Sequence, residues 1–194
     1  MKRRLALIVT IAGFLLLTGC ATSTTPPANP HNLCSIFKEK RSWYRHAKKA
    51  NEKWGTPIQV MMAIMYQESA YRHDVRPPRP RFLFIPLPRS SSAYGYAQAL
   101  DGTWEMYLKE NGGWFKARDD FEDAIDFIGW YTHKTRTING VSLWHTDLLY
   151  LNYHEGWGGY KRGSHKKKTW LLNTSKKVHS RASNYGAQLR RCRL

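Results

Sequence analysis

The sequence predicts a mainly α fold: one domain of about six to eight helices with a long proline-rich loop. Apolar residues recur at helical spacing almost throughout, and no alternating stretch is long enough to indicate a convincing strand. A length of 194 residues is enough for one domain with a real hydrophobic core and hardly enough for two. We find no internal repeat.

The first nineteen residues have the layout of an export signal. Met1-Lys2-Arg3-Arg4 is positively charged, and residues 5–17 are apolar but too few to span a membrane comfortably. The next residues, Leu17-Thr18-Gly19-Cys20, resemble a bacterial lipobox, in which a lipid is attached to the cysteine and the chain is cut before it. We therefore predict a lipoprotein signal peptide over residues 1–19 and lipidation at Cys20. The alternative is an ordinary secretory signal in which Cys20 is incidental.

Residues 20–31 are predicted to form a lipidated, flexible tether, because they are small, polar and rich in proline. Alanine rather than aspartate follows Cys20, and by resemblance to bacterial lipoprotein sorting this implies delivery to the outer membrane. We expect the chain to be anchored there through its lipid and to face the periplasm. Residues 32–194 then form the folded domain.

Two cysteines remain in that domain, Cys34 near its start and Cys192 near its end. An even pair in an oxidising compartment suggests a disulfide that closes nearly the whole domain into one loop. The alternative is two inert thiols.

The helical segments can be placed by periodicity and by their glycine and proline boundaries. The apolar pattern predicts one long first helix over residues 33–54 and a second over 58–69. Prolines forbid regular helix between residues 70 and 93, although residues 82–87 can pair briefly. Further helices are predicted over residues 101–110, from Asp119 onward, over 142–153 up to a break at Gly156-Trp157-Gly158-Gly159, and over 164–172 and 175–191.

Glu68 is the most informative residue of the chain. It follows the apolar run Val60-Met61-Met62-Ala63-Ile64-Met65, so a helix carries its carboxyl into apolar surroundings. Low dielectric penalises the ionised form, and a carboxyl kept protonated near neutral pH is what a general acid needs. The alternative is a helix-end glutamate with a solvated head.

Three motifs follow one another in order along the chain. They are Gln67-Glu68-Ser69, Gly95-Tyr96-Ala97-Gln98 and Asn152-Tyr153-His154-Glu155-Gly156. Together they resemble the soluble-type lytic transglycosylase (SLT) domain, whose fold is akin to goose-type lysozyme. The resemblance covers about residues 54–159 and implies a lysozyme-like domain.

The resemblance implies a role for each matching residue. Glu68 would be the single catalytic acid, and Ser69 would orient it or the N-acetyl group of the substrate. Gly95 would let backbone approach a sugar, Gln98 would hydrogen-bond sugar polar groups, and the hydroxyl of Tyr153 would reach toward the catalytic centre.

Two positions depart from the family pattern. Tyr96-Ala97 stands where the family has Leu-Met, so the groove wall differs, and His154 stands where the family has asparagine. We still expect Tyr96 and His154 to contact the substrate.

The implied substrate is the bond from N-acetylmuramic acid to N-acetylglucosamine in peptidoglycan. Most glycosidases need two carboxylates, but no second acid lies in a motif near Glu68. A lytic transglycosylase needs one, because its product closes an anhydromuramoyl ring without water. Two alternatives remain open: a non-catalytic peptidoglycan-binding envelope lipoprotein, and a hydrolytic muramidase on the same fold.

The net charge of +17 favours anionic partners such as wall polymers or acidic lipids. Nucleic acid is not expected, because the chain is exported. We hypothesise that the arginines of the proline-rich loop bind carboxylates of peptide stems, the alternative being a solvated loop. The histidines lack ligand spacing, so no metal is expected; neither is a cofactor, and we expect a monomer.

Overall fold

The computed structural model describes residues 24–194, so the predicted signal peptide and Cys20 lie outside the described residues. Within them, seven α-helices, one short 3₁₀-helix and one two-stranded hairpin make up the regular structure. In chain order these are α1 (Leu33–Glu39), α2 (Arg41–Trp54), α3 (Ile58–Ser69), β1 (Arg81–Phe82), β2 (Ile85–Pro86), α4 (Asp101–Asn111), α5 (Phe121–Asn139), α6 (Thr146–Lys161), the 3₁₀-helix (Ser164–Lys167) and α7 (Thr169–Arg190). The mainly α, single-domain, lysozyme-like fold class is confirmed.

Helix α3 occupies the centre of the core. Eight of its twelve residues are apolar, and those from Val60 to Met65 are all buried. It packs against α2, α5 and α7, which are amphipathic and turn their apolar faces toward it. A segment that is apolar around its whole circumference, such as residues 60–65, is stable only when other helices surround it. This explains the central place of α3.

Three predicted helix boundaries are wrong. The expected first helix is two helices, α1 and α2, which meet at the buried Lys40. Helix α6 does not stop before the glycine-rich segment; it continues to Lys161 through a kink at Gly156, whose φ of 72° is non-helical. The two expected C-terminal segments are instead the 3₁₀-helix and one continuous helix, α7. No described helix is both long and apolar enough to cross a membrane.

A buried carboxylate joins α2, α4 and α5. Asp126 accepts hydrogen bonds from the indole of Trp54 at 2.8 Å, from Lys53 at 3.0 Å and from the hydroxyl of Tyr107. Burial works against its ionisation, but these donors outweigh burial and lower the pKa of Asp126. The charge is therefore compensated, and it ties three helices together.

The predicted disulfide joins Cys34 in α1 to Cys192 just beyond α7, with the two Cα atoms 5.6 Å apart. A side-chain hydrogen bond lies beside it: the backbone N–H of Leu33 donates to Gln188 at 2.7 Å. The two ends of the domain are therefore held together both covalently and by hydrogen bonding.

Candidate active site

Glu68 lies in the last turn of α3, the central helix. The residue is partly exposed, but its carboxyl is surrounded by protein, and this desolvation raises its pKa from 4.5 to about 7. A hydrogen bond with Tyr150 acts in the opposite direction and is the weaker influence. Glu68 is thus a carboxyl that holds its proton near neutral pH, as the sequence predicted.

The chain turns sharply directly after Glu68 and Ser69. Ala70 and Tyr71 both have positive φ, 51° and 64°, which non-glycine residues adopt only when their surroundings hold them there. The buried ring of Tyr71 supplies that hold, since its hydroxyl donates to the Met62 carbonyl at 3.1 Å and stands 3.1 Å from the hydroxyl of Tyr185. This turn fixes the end of α3 and with it the position of Glu68.

Helix α6 places two tyrosines beside Glu68. Tyr150 is its hydrogen-bond partner, and burial together with the Glu68 charge raises the pKa of the Tyr150 hydroxyl. Tyr153, one turn further along the same face, also has a raised pKa, mainly from burial and next from the charge of Glu68. Its hydroxyl donates to the carbonyl of Ala97 at 2.6 Å, which links the third motif to the second.

The second motif is a tight loop held against the rest of the chain. Gly95 has φ 78°, and a Cβ there would lie 2.0 Å from the carbonyl oxygen of Arg118. The close approach at this glycine is therefore between two backbone segments. Gln98 also has a positive φ, 48°, and its amide nitrogen donates to the carbonyls of Val75 and Gly95, each at 2.8 Å.

The second and third motifs meet around a small cavity of about 170 Å³. Its lining includes Gln98, Tyr153 and His154, all predicted as substrate-binding residues, and Phe127 and Tyr131 form an aromatic wall. Tyr131 lies edge-on to Tyr153, with the ring centroids 4.9 Å apart. Glu68 is not one of the lining residues; it is connected to the cavity through Tyr153, which lines the cavity and whose pKa is raised by the charge of Glu68.

His154 and Glu155 mark one border of the cavity. The ring of His154 is exposed and lies edge-on to Trp170 at 5.1 Å. The Glu155 side chain is only 4% exposed, and burial opposes its ionisation, but hydrogen bonds from Lys168, Ser164 and His154 outweigh burial and lower its pKa to about 2. Glu155 is therefore a permanently charged structural group and cannot act as a second acid.

Ser69 and Tyr96 point into the protein. Ser69 is buried, and its hydroxyl donates to the Met65 carbonyl at 3.2 Å. Tyr96 packs edge-on against Trp43 and Phe121 and borders a separate cavity of about 590 Å³. That cavity is larger, but its lining contains neither Glu68 nor Gln98, Tyr153 or His154.

Tyr150 was not predicted from the sequence, and neither were Phe127 and Tyr131. One signal was available for Tyr150: it stands three residues before Tyr153, so the two share a helix face. Phe127 and Tyr131 carry no such signal, because they read as part of the buried stripe of α5. Among residues 24–194, no group of three His, Cys, Asp or Glu side chains is arranged to hold a metal ion.

Comparison with known proteins supports the motif assignment. No curated protein matches the chain. The family model described as "Transglycosylase SLT domain" matches residues 8–192, which is almost the whole chain and begins inside the predicted signal peptide. Because this match covers far more than half of the chain, it shows that the chain belongs to the transglycosylase SLT domain family, whose enzymes act on peptidoglycan.

Proposed function

We propose that the protein is a membrane-anchored lytic transglycosylase that cleaves the bond between N-acetylmuramic acid and N-acetylglucosamine and leaves anhydromuramoyl ends. The observation that carries the proposal is the desolvated carboxyl of Glu68, whose pKa of about 7 suits a general acid at neutral pH. The pKa values of Glu110, Glu122, Asp126 and Glu155 are lowered by their hydrogen-bond partners, so none of these carboxyls is suited to be a second general acid. In the proposed reaction Glu68 alone serves as acid and then as base.

In the first step, protonated Glu68 gives its proton to the glycosidic oxygen, and the bond from that oxygen to the muramoyl sugar breaks. The substrate's own N-acetyl oxygen stabilises the cation that develops. The carboxylate left on Glu68 is stabilised by its hydrogen bond with Tyr150.

In the second step, that carboxylate takes a proton from a hydroxyl of the muramoyl sugar, and the hydroxyl oxygen bonds to the cationic carbon. The ring closes without water, and Glu68 returns to its protonated form. Because Gln98 commits its amide nitrogen to Val75 and Gly95, it meets a sugar as a hydrogen-bond acceptor through its amide oxygen.

The anchoring part of the proposal rests on the N-terminal sequence. Residues 1–19 are proposed as the signal peptide, residues 20–31 as the lipidated tether and residues 32–194 as the enzyme domain, held at the outer membrane and facing the periplasm. The expected flexibility of the tether is wrong for its described part: the backbone N–H of Ala28 donates to Glu39 at 2.9 Å and the hydroxyl of Tyr185 donates to the Pro30 carbonyl, so this part lies against the domain.

Metabolic labelling with a radioactive fatty acid tests the anchor: label on the wild-type chain and none on Cys20→Ala supports it, whereas equal label, or none on either, contradicts it.

The catalytic proposal is tested by digesting purified sacculi and analysing the soluble products by mass spectrometry. Wild type should release anhydromuramoyl ends, and Glu68→Gln should lower turnover about 10²- to 10⁴-fold, the usual contribution of a general acid. Glu105→Gln is the matched control, since Glu105 is exposed on α4 and should turn over normally.

Two product patterns would contradict the proposal. Reducing ends would identify a hydrolytic muramidase on the same fold. Binding to sacculi without any release, unaffected by Glu68→Gln, would identify a non-catalytic peptidoglycan-binding lipoprotein.

A further inference from the structure

The β1–β2 hairpin carries an apolar tip in water. Its register pairs Arg81 with Pro86 and Phe82 with Ile85, so residues 82–85, Phe-Leu-Phe-Ile, form the turn. All four side chains are exposed, and Phe84 is 97% exposed. We call residues 82–85 the hairpin tip. A contiguous exposed apolar patch of this kind marks a surface that is covered in the working protein.

Two further exposed aromatic residues lie between α4 and α5, on the segment that leads to Arg118. Trp114 and Phe115 are 95% and 101% exposed, and we call them the aromatic pair. They precede Arg118, whose guanidinium donates to the carbonyl of Ser92 at 3.1 Å and lies over the ring of Tyr94. Ser92 and Tyr94 form the base of the hairpin loop, so Arg118 connects the segment that carries the aromatic pair to the base of the hairpin.

Arginines flank the hairpin tip along the chain. Arg79 and Arg89 brace the loop by donating to the carbonyls of Leu87 at 3.0 Å and Pro77 at 2.7 Å, and Arg81 opens β1 beside Phe82. The acids at the base are engaged with protein: Tyr94 donates to Asp119 at 2.7 Å, and Arg118 pairs with Asp101 at 2.7 Å. An apolar tip above a base rich in arginine fits an anionic lipid surface, where the tip enters the acyl boundary and the guanidiniums meet phosphates.

The chain also enters the domain at this end. Thr24 borders the 590 Å³ cavity together with Tyr96 and Asp119, which adjoin the base of the hairpin and of the aromatic pair. Only four peptide bonds separate Cys20 from Thr24, and so short a piece of chain spans at most roughly 14 Å. A lipid on Cys20 would therefore hold the bilayer close to this end of the molecule.

We propose that the hairpin tip and the aromatic pair insert into the headgroup region of an anionic membrane and form a second contact beside the lipid anchor. The inference rests on the proposed lipidation of Cys20 for its geometry, and on the exposed side chains for its chemistry. Val75, at the root of the same loop, accepts a hydrogen bond from Gln98. The membrane contact would therefore also set the distance between the bilayer and the loop that carries Gln98.

A fluorescent probe at the tip tests the proposal. Phe84→Cys in the full, cell-processed chain is labelled with the environment-sensitive fluorophore NBD and incorporated into vesicles of phosphatidylglycerol and phosphatidylcholine. Ile138→Cys is the matched control: Ile138 is exposed near the far end of α5, about 25 Å along that helix from the Phe121 end that packs on Tyr96.

We expect the probe at position 84 to shift to the blue and to resist reduction by aqueous dithionite, and the probe at 138 to stay water-like. Both effects should weaken in pure phosphatidylcholine or after Arg81→Ser is added. A water-like probe at 84 on both vesicle types would overturn the proposal. So would burial of the probe only when sacculi are added, because the tip would then dock on the wall.

Failure of the proposed function is distinguishable from failure of this contact. The wild-type chain should take up no NBD, because a lipid would block Cys20 and the disulfide holds the other two cysteines. Label that peptide mapping locates at Cys20 of the wild type would contradict the anchor alone. Product analysis of sacculi tests catalysis separately, and Phe84→Ser should retain turnover on soluble glycan fragments.

Discussion

Glu68 and Tyr150 illustrate how catalysis is prepared at the scale of single residues. Burial raises the pKa of Glu68, so that the carboxyl holds its proton. The hydrogen bond with Tyr150 favours the carboxylate and lowers this pKa by a smaller amount. Glu68 was predicted because the apolar run before it is local in sequence. The sequence puts Tyr150 on the same helix face as Tyr153, but its contact with Glu68 depends on how α6 packs beside the end of α3, and local sequence does not reveal that.

Tyr150→Phe should move the alkaline limb of the pH–rate profile to higher pH. Loss of the hydrogen bond removes an influence that lowers the pKa of Glu68, and the carboxylate formed in the first step loses its stabilisation. Turnover should fall about tenfold or more, in line with a hydrogen bond to a charged group. Steady-state rates on soluble glycan fragments across pH measure both effects.

Tyr153→Phe is the matched comparison, since its hydroxyl donates to Ala97 rather than to Glu68. Tyr153→Phe should raise KM and leave the alkaline limb of the pH–rate profile at the wild-type pH. If Tyr150→Phe kept the wild-type limb and turnover, Tyr150 would have no part in setting the proton affinity of Glu68.

At the scale of elements, the groove depends on one loop packed against another. Gly95 tolerates no side chain, because the carbonyl of Arg118 occupies the space of a Cβ and the φ of Gly95 is positive. From the sequence we predicted a glycine here that lets backbone approach a sugar, and that role stays a prediction; the contact with Arg118 is a second reason for glycine. The neighbouring backbone comes from more than twenty residues away, and nothing local in the sequence reveals it.

Gly95→Ala should destabilise the fold by at least about 2 kcal/mol and reduce activity, because the Tyr94–Ala99 loop must shift away from Arg118. Gly102→Ala is the control: this glycine lies in α4 with no atom near its Cβ position, and the change should leave stability equal or raise it by up to about 1 kcal/mol. Urea unfolding followed by circular dichroism measures both. Equal stability of the two variants would mean that the Arg118 contact is not maintained in solution.

The glycine-rich segment after the third motif shows where local signals mislead. Gly156 does adopt a conformation that a helix excludes, so the expected break has a physical basis. Helix α6 nevertheless resumes, because Trp157 stacks on Tyr131 at 4.6 Å and donates its indole N–H to Thr135 at 2.9 Å. Packing against α5 therefore determines the length of α6.

At the scale of the whole molecule, the ends of the domain are joined. The Cys34–Cys192 disulfide closes a loop with a sequence separation of 158 residues. The pairing was predictable because only two cysteines remain in the domain. The positions of α3 and α5 along the chain were predictable from their strong apolar patterns. The helix boundaries set by a buried lysine or by a tertiary contact were not.

Replacing both cysteines by serine should lower the free energy of unfolding by about 3–5 kcal/mol, because the unfolded chain regains the freedom that a long closed loop denies it. Thermal and urea unfolding of the double variant measure this, with reduced wild type as the control. The double variant and reduced wild type should agree. An unchanged unfolding midpoint, together with two reactive thiols in unreduced wild type, would contradict the disulfide.

The most direct test of the account is the titration of the Glu68 carboxyl itself. Carbon-13 NMR of the chain labelled at its glutamate carboxyls, compared with Glu68→Gln, should show one carboxyl titrating near pH 7 that is missing from the variant. Since the acid must be protonated to react, turnover should be full below that pH and fall as pH rises through it. Titration of every glutamate near its ordinary value, with no signal lost near pH 7 in Glu68→Gln, would contradict a desolvated general acid at this position.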